Sequence, residues 1–179
     1  MDYTIIEHVH RLAAWGASRA AAASLSNRFS VERGKLILEA VGLQRLLAGP
    51  EALPEPDAMD DAHREWRNAV IAAAHARGLA FTHGVAAKLI NVYLKIGLVN
   101  TAYHAHPNVA AVHPPIDREL LNGLIKADAP NAQQWRRFRD AAWSNYDSDT
   151  YENVIAAVRA FLGPTTPLWR IEEAWQGHQ

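Results

Sequence analysis

Apolar residues recur every three or four positions along most of this 179-residue chain, and no window alternates apolar and polar residues as a half-buried strand does. The spacing is clearest near the C-terminal end, in a stripe formed by Tyr151, Val154, Ile155, Val158, Phe161 and Leu162. This pattern predicts an all-α fold. A chain of this length buries most of its apolar surface around one core, so we expect a single compact domain over residues 1–179.

Glycines and prolines divide the chain into about eight predicted helices. Their predicted ranges are residues 3–24, 30–42, 59–76, 84–97, 116–126, 130–143, 149–162 and 167–175. Ser30 is predicted to cap the second helix, and Asp149 and Glu152 have the spacing of a capping box at the seventh. The segments 48–57 and 98–115 are predicted as loops, because the first holds three prolines and the second is rich in histidine and proline.

The first predicted helix carries an apolar side formed by Ile5, Ile6, Val9, Leu12 and Ala13. A helix usually turns such a side toward the core. The run of alanines that follows Trp15 favours close packing against another helix.

The composition excludes several kinds of chemistry and of partner. The chain has no cysteine, which excludes disulfides, thiolate metal sites and a cysteine nucleophile. Its 18 basic and 19 acidic side chains give a net charge of -1, so any binding to nucleic acid requires a local basic patch. The apolar runs are too short to span a bilayer, and Met1-Asp2-Tyr3 is not a basic leader. We therefore expect a cytoplasmic protein without a membrane partner.

One lysine and one aspartate stand out as candidates for catalysis. Lys88 lies at the border of the apolar face of the fourth predicted helix, where partial burial lowers the pKa of an amine and makes it a nucleophile. Asp117 comes just after the Pro114-Pro115 turn, with Ile116 between them, at a predicted helix start that favours the ionised carboxylate. An ordinary solvated lysine and a helix-capping aspartate remain the simpler interpretation of each residue taken alone.

Residues 67–125 resemble the helix-hairpin-helix DNA glycosylase superfamily. The predicted helices within 67–95 resemble the family's two helices, with residues 78–84 as the hairpin, and Pro115-Ile116-Asp117 resembles its Pro-Val-Asp-type motif. The resemblance implies a helix-hairpin-helix unit, double-stranded DNA as partner, and base excision with abasic-site lyase chemistry. Lys88 would attack C1′ of an extruded nucleotide and form a Schiff base, and Asp117 would assist.

The resemblance also implies roles for further residues. Gly84 and Val85 would offer backbone N–H groups to a DNA phosphate. Arg118 and the basic cluster containing Arg136 and Arg137 are the candidates for further backbone contacts. The candidates for stacking on an extruded base are Trp66, Trp143 and Tyr146. No cofactor or bound metal is expected.

Three other interpretations stay open. The tryptophan-rich helix faces are equally typical of a non-enzymatic module that binds a protein partner or forms a homodimer. Arg77 and His83 resemble the Arg-x(4-6)-His motif of HEPN ribonucleases, with the histidine as general acid or base. His104, His106 and His113, together with Asp117, carry the ligand types of a zinc site.

Overall fold

The computed structural model describes residues 3–23 and 28–177, which form a single compact domain with eight α-helices and no strand. The helices are α1 (Ile5–Ala21), α2 (Val31–Ala40), α3 (Met59–His75), α4 (His83–Leu94), α5 (Pro107–Ala110), α6 (Arg118–Ala127), α7 (Ala132–Ala141) and α8 (Ser148–Leu162). The predicted all-α class and the predicted number of about eight helices are confirmed. Among the described helices, none combines the length and the apolar character that crossing a bilayer requires.

The ends of several elements differ from the predicted ones. A π-helical turn, Lys95–Val99, extends α4, and the predicted last helix is a 3-10 helix, Leu168–Ala174. The predicted loop 98–115 contains the short helix α5. Ser24, where the first helix was predicted to end, lies outside the described residues.

Side-chain caps fix the starts of α1, α2, α4, α6 and α8. Ser30 caps α2 as predicted, because its hydroxyl accepts the N–H of Arg33. The predicted capping box at α8 is wrong: Asp147 is the cap and accepts the N–H of Thr150. Glu152 points instead to arginines of α3.

Helix α1 turns its small residues inward and leaves its large apolar ones outside. The buried side consists of Ala13, Ala14, Ala17, Ser18 and Ala21, together with His10. Ile5 is 73% exposed and Trp15 is 56% exposed, and Ile6 and Leu12 are also exposed. The predicted inward side of α1 is therefore wrong for Ile5, Ile6 and Leu12 and right for Ala13, and the alanines after Trp15 pack closely as predicted. Packing of α1 against α4 and α2 depends on close approach rather than on large side chains.

Helix α4 lies between the two halves of the core. One apolar cluster joins α4 to α1, α2 and α3, and a second cluster joins residues of α6, α7, α8 and the C-terminal segment. Ala87 of α4 belongs to the second cluster, and Trp143 packs against both clusters. Helix α4 is therefore buried on nearly all sides, including the position of Lys88.

The connection from α3 to α4 makes a tight turn and then a close backbone contact. Gly78 has φ +72°, a left-handed conformation that favours glycine, and Thr82 caps α4 by accepting the N–H of Val85. A Cβ on Gly84 would lie 1.7 Å from the carbonyl oxygen of Trp143. The segment that the resemblance assigns to a helix-hairpin-helix unit is thus a helix, a turn and a second helix, and its role in DNA binding stays a prediction.

We expect Gly84→Ala to lower the free energy of unfolding by about 1–3 kcal/mol, because the added methyl forces α4 away from the backbone at Trp143. Urea denaturation followed by circular dichroism measures the change. Asn68→Ala, on the exposed side of α3, is the control and should stay within about 0.5 kcal/mol of the wild type. Equal stabilities of Gly84→Ala and Asn68→Ala would contradict the packing argument.

Candidate functional site

Lys88 and Asp117 are in direct contact although 29 residues separate them. The Lys88 ammonium nitrogen lies 2.9 Å from Oδ2 of Asp117. The lysine side chain is 7% exposed and the aspartate side chain 26% exposed, so the pair sits at the edge of the core. The structure therefore brings together the two residues that the sequence indicated as candidates for catalysis.

The segment before Asp117 is held against α4 by a hydrogen bond. Asn91, one turn after Lys88 on α4, donates from Nδ2 to the carbonyl oxygen of Pro114 at 2.8 Å. This contact places the start of α6 beside Lys88. The position of Asp117 is thus set by α4 itself.

Asp117 combines a capping role with the ion pair. Its Oδ1 accepts the N–H of Leu120 at 2.8 Å and so caps α6. Its Oδ2 accepts hydrogen bonds from Lys88 and from the indole N–H of Trp175, the latter at 3.2 Å. Because the cap fixes one oxygen, the other faces Lys88 in a defined orientation.

Burial lowers the pKa of Lys88, and the neighbouring Asp117 opposes that shift. Lys95 also lowers the pKa of Lys88, whereas Glu172 raises it. The amine is therefore easier to deprotonate than a solvated lysine. An acceptor for the released proton, the Asp117 carboxylate, lies within hydrogen-bond distance.

The pair opens into a cavity of about 350 Å³ between α1, α4, the start of α6 and the C-terminal segment. Its polar lining consists of Lys88, Lys95, Asp117 and Glu172. The rest of the lining is apolar and comprises Gly16, Ala20, Val92, Ile96, Pro115 and Trp175. A concave apolar site with a few convergent polar groups is typical of a binding site for a small group.

The three candidates for base stacking lie in different environments. Trp66 is 8% exposed, and Tyr146 is buried with its hydroxyl donating to the carbonyl of Phe138 at 2.6 Å, so neither ring is open to a ligand. Trp143 is half-buried, and its ring centre lies 5.7 Å from Lys88 Nζ. Only Trp143 of the three is placed beside the candidate site.

Sequence reasoning missed Trp175 and the ion pair between Lys95 and Glu172, all of which line the cavity. The sequence contains a weak signal for Lys95, since two helical turns separate it from Lys88 and place both on one face of a helix. Nothing in the spacing links Trp175 or Glu172 to Asp117, because that contact is made by the tertiary fold.

The expected phosphate contact at Gly84 and Val85 is not available in this structure. The N–H of Gly84 donates to the carbonyl of Tyr146 at 3.1 Å, and the N–H of Val85 donates to the hydroxyl of Thr82 at 3.2 Å. Both residues are buried. The expectation is therefore corrected: these amides cap and pack α4.

The three candidate arginines are placed where a polyanion can reach them. Arg118 follows Asp117 at the start of α6, and Arg136 and Arg137 lie on α7. All three are exposed, and α6 packs against α7. The basic groups thus lie on two neighbouring helices, one of which begins at the candidate site.

A second polar cluster lies on another side of α4, around Asn91. The amide nitrogen of Asn91 donates one hydrogen bond to the carbonyl of Pro114 and one to the hydroxyl of Tyr151. The amide oxygen of Asn91 accepts a hydrogen bond from Nε2 of His63 at 2.7 Å. The Tyr151 hydroxyl then donates to Nδ1 of His113 at 3.1 Å. These bonds leave each histidine with its proton on Nε2.

The far end of this cluster reaches the surface through Asp60. Nε2 of His113 donates to Asp60 at 2.8 Å, and Arg159 binds both oxygens of the same carboxylate. The hydrogen bond from His113, helped by Arg159, holds the pKa of Asp60 well below its usual range. The carboxylate therefore stays ionised.

Both histidines of this cluster are uncharged near neutral pH. Burial lowers the pKa of His113 and lowers that of His63 well below its usual value. Their ring centres are 4.2 Å apart, so protonating both rings would place two positive charges close together, and their repulsion opposes it. Nδ1 of His63 is buried without a hydrogen-bond partner among the described residues.

The structure separates the residues of the proposed zinc site. His113 is bound to Tyr151 and Asp60, whereas His104 contacts the carbonyl of Thr101 and His106 contacts Glu51. No group of three or more metal-ligating side chains occurs among residues 3–23 and 28–177. The histidines of the loop therefore do not form one ligand set.

Arg77 and His83 are not joined in the described structure. Arg77, in the turn that follows α3, donates to the carbonyl of Ala73 in α3 at 2.8 Å. Burial is the main cause that lowers the pKa of His83, and the arginine that lowers it further is Arg67 of α3. The geometry thus gives the ribonuclease interpretation no supporting contact.

Comparisons of this chain with protein-family models, with curated proteins and with solved structures found no match.

We expect the free energy of unfolding to fall as the pH drops below about 6.5, the usual pKa of histidine. The pKa values of His63 and His113 are lowered in the folded state, so the unfolded chain binds protons that the folded chain does not. The loss is about 1.4 kcal/mol per pH unit for each histidine until its folded pKa is reached. Urea titrations between pH 8 and pH 5 measure it.

The variant His63→Gln should show a shallower dependence on pH than the wild type. His104→Gln is the matched control, because His104 is exposed, and its dependence should equal that of the wild type. A wild type equally stable at pH 8 and pH 5 would rule out the neutral buried pair.

Proposed function

We propose that this chain is a helix-hairpin-helix DNA glycosylase-like protein that performs Schiff-base chemistry with Lys88. The observation that supports it best is the contact between Lys88 and Asp117 at the edge of one cavity. The proposal includes double-stranded DNA as the partner and the cytoplasmic location expected from the sequence.

In the proposed reaction, Lys88 gives a proton to Asp117 and attacks C1′ of the bound nucleotide with the freed electron pair. A bond forms between Nζ and C1′ as the bond from C1′ to the base breaks, and its electrons leave with the base. The proton held by Asp117 then passes to the departing base. The bond from C1′ to O4′ breaks next as Nζ forms a double bond to C1′, and one proton of Nζ passes to O4′, which leaves a protonated Schiff base and an opened sugar ring. Burial of Lys88 favours the first step, because it lowers the pKa of the amine.

Asp117 is oriented for both proton transfers. The N–H of Leu120 and the indole N–H of Trp175 hold the carboxylate in place while Lys88 loses its charge. A carboxylate positioned in this way accelerates proton transfer by about 10²–10⁴-fold. The capping role of Asp117 thus supports the proposed chemical role.

DNA binding would rest on exposed arginines rather than on the start of α4. Arg118, Arg136 and Arg137 are the candidates, since the amides of Gly84 and Val85 are buried. With a net charge of -1 for the whole chain, these local positive charges have to supply the attraction to phosphate.

We expect sodium borohydride to trap the wild-type protein on duplex DNA that holds one abasic site, because borohydride reduces a Schiff base to a stable amine. Lys88→Ala should give no trapped complex, since Lys88 supplies the amine that contacts Asp117. Asp117→Asn should slow trapping by about 10²-fold or more. Denaturing gel electrophoresis of labelled DNA measures the covalent complex.

Lys126→Ala is the matched control for trapping, because Lys126 is exposed on α6. Trapping of this variant should equal that of the wild type. Replacing Arg136 and Arg137 by alanine should weaken duplex binding and reduce its dependence on salt, by about 0.9 in the log–log slope for each lost phosphate contact. If the wild type is trapped on no duplex, the glycosylase-like proposal fails.

The exposed apolar side of α1 supports a second candidate, a module that binds a second copy of the chain. Ile5, Ile6, Leu12 and Trp15 lie exposed on this helix. Contiguous exposed apolar residues mark interaction surfaces in soluble proteins. Burial of Trp15 between two copies would remove a large aromatic surface from water.

Under this second candidate, we expect the wild type to dimerise as its concentration rises in light-scattering measurements. The double variant Leu12→Gln, Trp15→Gln should stay monomeric at the same concentrations. Leu36→Gln is the control, because Leu36 is also exposed but lies on α2. A wild type that is monomeric throughout excludes the homodimer.

A further inference from the structure

A second ion pair, Lys95 with Glu172, lines the same cavity as Lys88 and Asp117. Lys95 begins the π-helical turn that extends α4, and Glu172 lies in the C-terminal 3-10 helix. The side chain of Lys95 is 32% exposed and that of Glu172 is 18% exposed. This pair has no part in the reaction proposed for Lys88 and Asp117.

The pair keeps hydrogen-bonding capacity for a molecule in the cavity. Oε2 of Glu172 binds Lys95, while Oε1 has no hydrogen-bond partner among the described residues. An ammonium group has three N–H donors, and the structure uses one donor of Lys95, on Glu172. A group entering the cavity therefore meets an acceptor next to a donor.

The surroundings of the pair suit a flat ring. Val92, Ile96 and Pro115 supply apolar walls, and Trp175 supplies an aromatic one. The part of the lining that α1 contributes consists of the small residues Gly16 and Ala20. At about 350 Å³, the cavity lies near the lower end of the ~300–1,000 Å³ of small-ligand sites.

We propose that Lys95 and Glu172 recognise the hydrogen-bonding edge of an extruded nucleobase that presents an N–H or amino donor beside a carbonyl or ring-nitrogen acceptor. This inference rests on the proposed function, in which C1′ lies at Lys88. The base is attached to C1′, so it occupies the part of the cavity beyond Lys88. Glu172 accepts from the donor of the base, and Lys95 donates to its acceptor.

Glu172→Gln tests the assignment with little change of shape. The substitution removes the negative charge and replaces one carboxylate oxygen by an NH₂ group. This group is a hydrogen-bond donor, so it cannot accept a hydrogen bond from the N–H of the base. A polar group left unpaired in such a site discriminates strongly between ligands. Glu173→Gln is the matched control, because Glu173 is exposed and binds Arg170.

The experiment measures duplex affinity in the Lys88→Gln background, which prevents turnover. Each duplex carries at one position a stable abasic analogue, a uracil, a hypoxanthine, or the N-methyl counterpart of either base that lacks the ring N–H. We expect Lys88→Gln to bind the uracil or the hypoxanthine duplex at least about tenfold more tightly than its N-methyl counterpart and the abasic duplex.

Adding Glu172→Gln should remove this preference, and adding Glu173→Gln should preserve it. An equal loss of affinity for all duplexes after Glu172→Gln would indicate a structural role and overturn the inference, as would the absence of any preference in the Lys88→Gln background. Borohydride trapping of the wild type on abasic DNA is scored separately. If the wild type is trapped but the Lys88→Gln variant shows no such preference, this inference alone fails. If the wild type is never trapped, the proposed function fails as well.

Discussion

Burial of α4 on nearly all sides is the constraint on which the rest of the structure depends. A polar side chain on a buried helix needs a partner, because an unpaired polar group in the interior costs about 1–3 kcal/mol. Four polar side chains of this helix and its π-helical extension find partners on other segments, whereas Nδ1 of His83, at the helix start, has none among the described residues. Lys88 binds Asp117, Asn91 binds His63, Tyr93 binds His10, and Lys95 binds Glu172. These bonds tie α1, α3, α6 and the C-terminal segment to one central helix.

The sequence predicted the fold class because helical periodicity survives tertiary packing, but it could not predict which side of α1 faces inward. Periodicity identifies an apolar side, and Ile5 and Leu12 belong to it. Alanines occupy the interior side here because they allow α1 to approach α4 closely. The need for close approach is set by α4 and cannot be read from the sequence of α1. Asn91 is a second example. The helical periodicity places it away from the apolar face, as for a surface residue, but it is fully buried and has three hydrogen-bond partners.

The candidate site was predictable to the extent that local signals carry it. The Pro-Pro turn before Asp117 predicts a helix start, and the helix start predicts an ionised, capping aspartate. The predicted cap is confirmed by the bond to Leu120, and the ion pair to Lys88 uses the other oxygen of the same carboxylate, whose catalytic role stays a prediction. The roles of Trp175 and Glu172 in lining the cavity were not predicted, because both residues come from the C-terminal segment, far from Lys88 and Asp117 in the sequence.

The buried histidine cluster and the candidate site are coupled through one side chain. Asn91 accepts a hydrogen bond from Nε2 of His63 and donates one to the carbonyl of Pro114, three residues before Asp117. The same amide therefore belongs to the hydrogen-bond network of the histidines and to the contact that holds the segment before Asp117 against α4. The neutral side of α4 and its charged side thus share one buried side chain, and hydrogen bonds within such a network polarise one another.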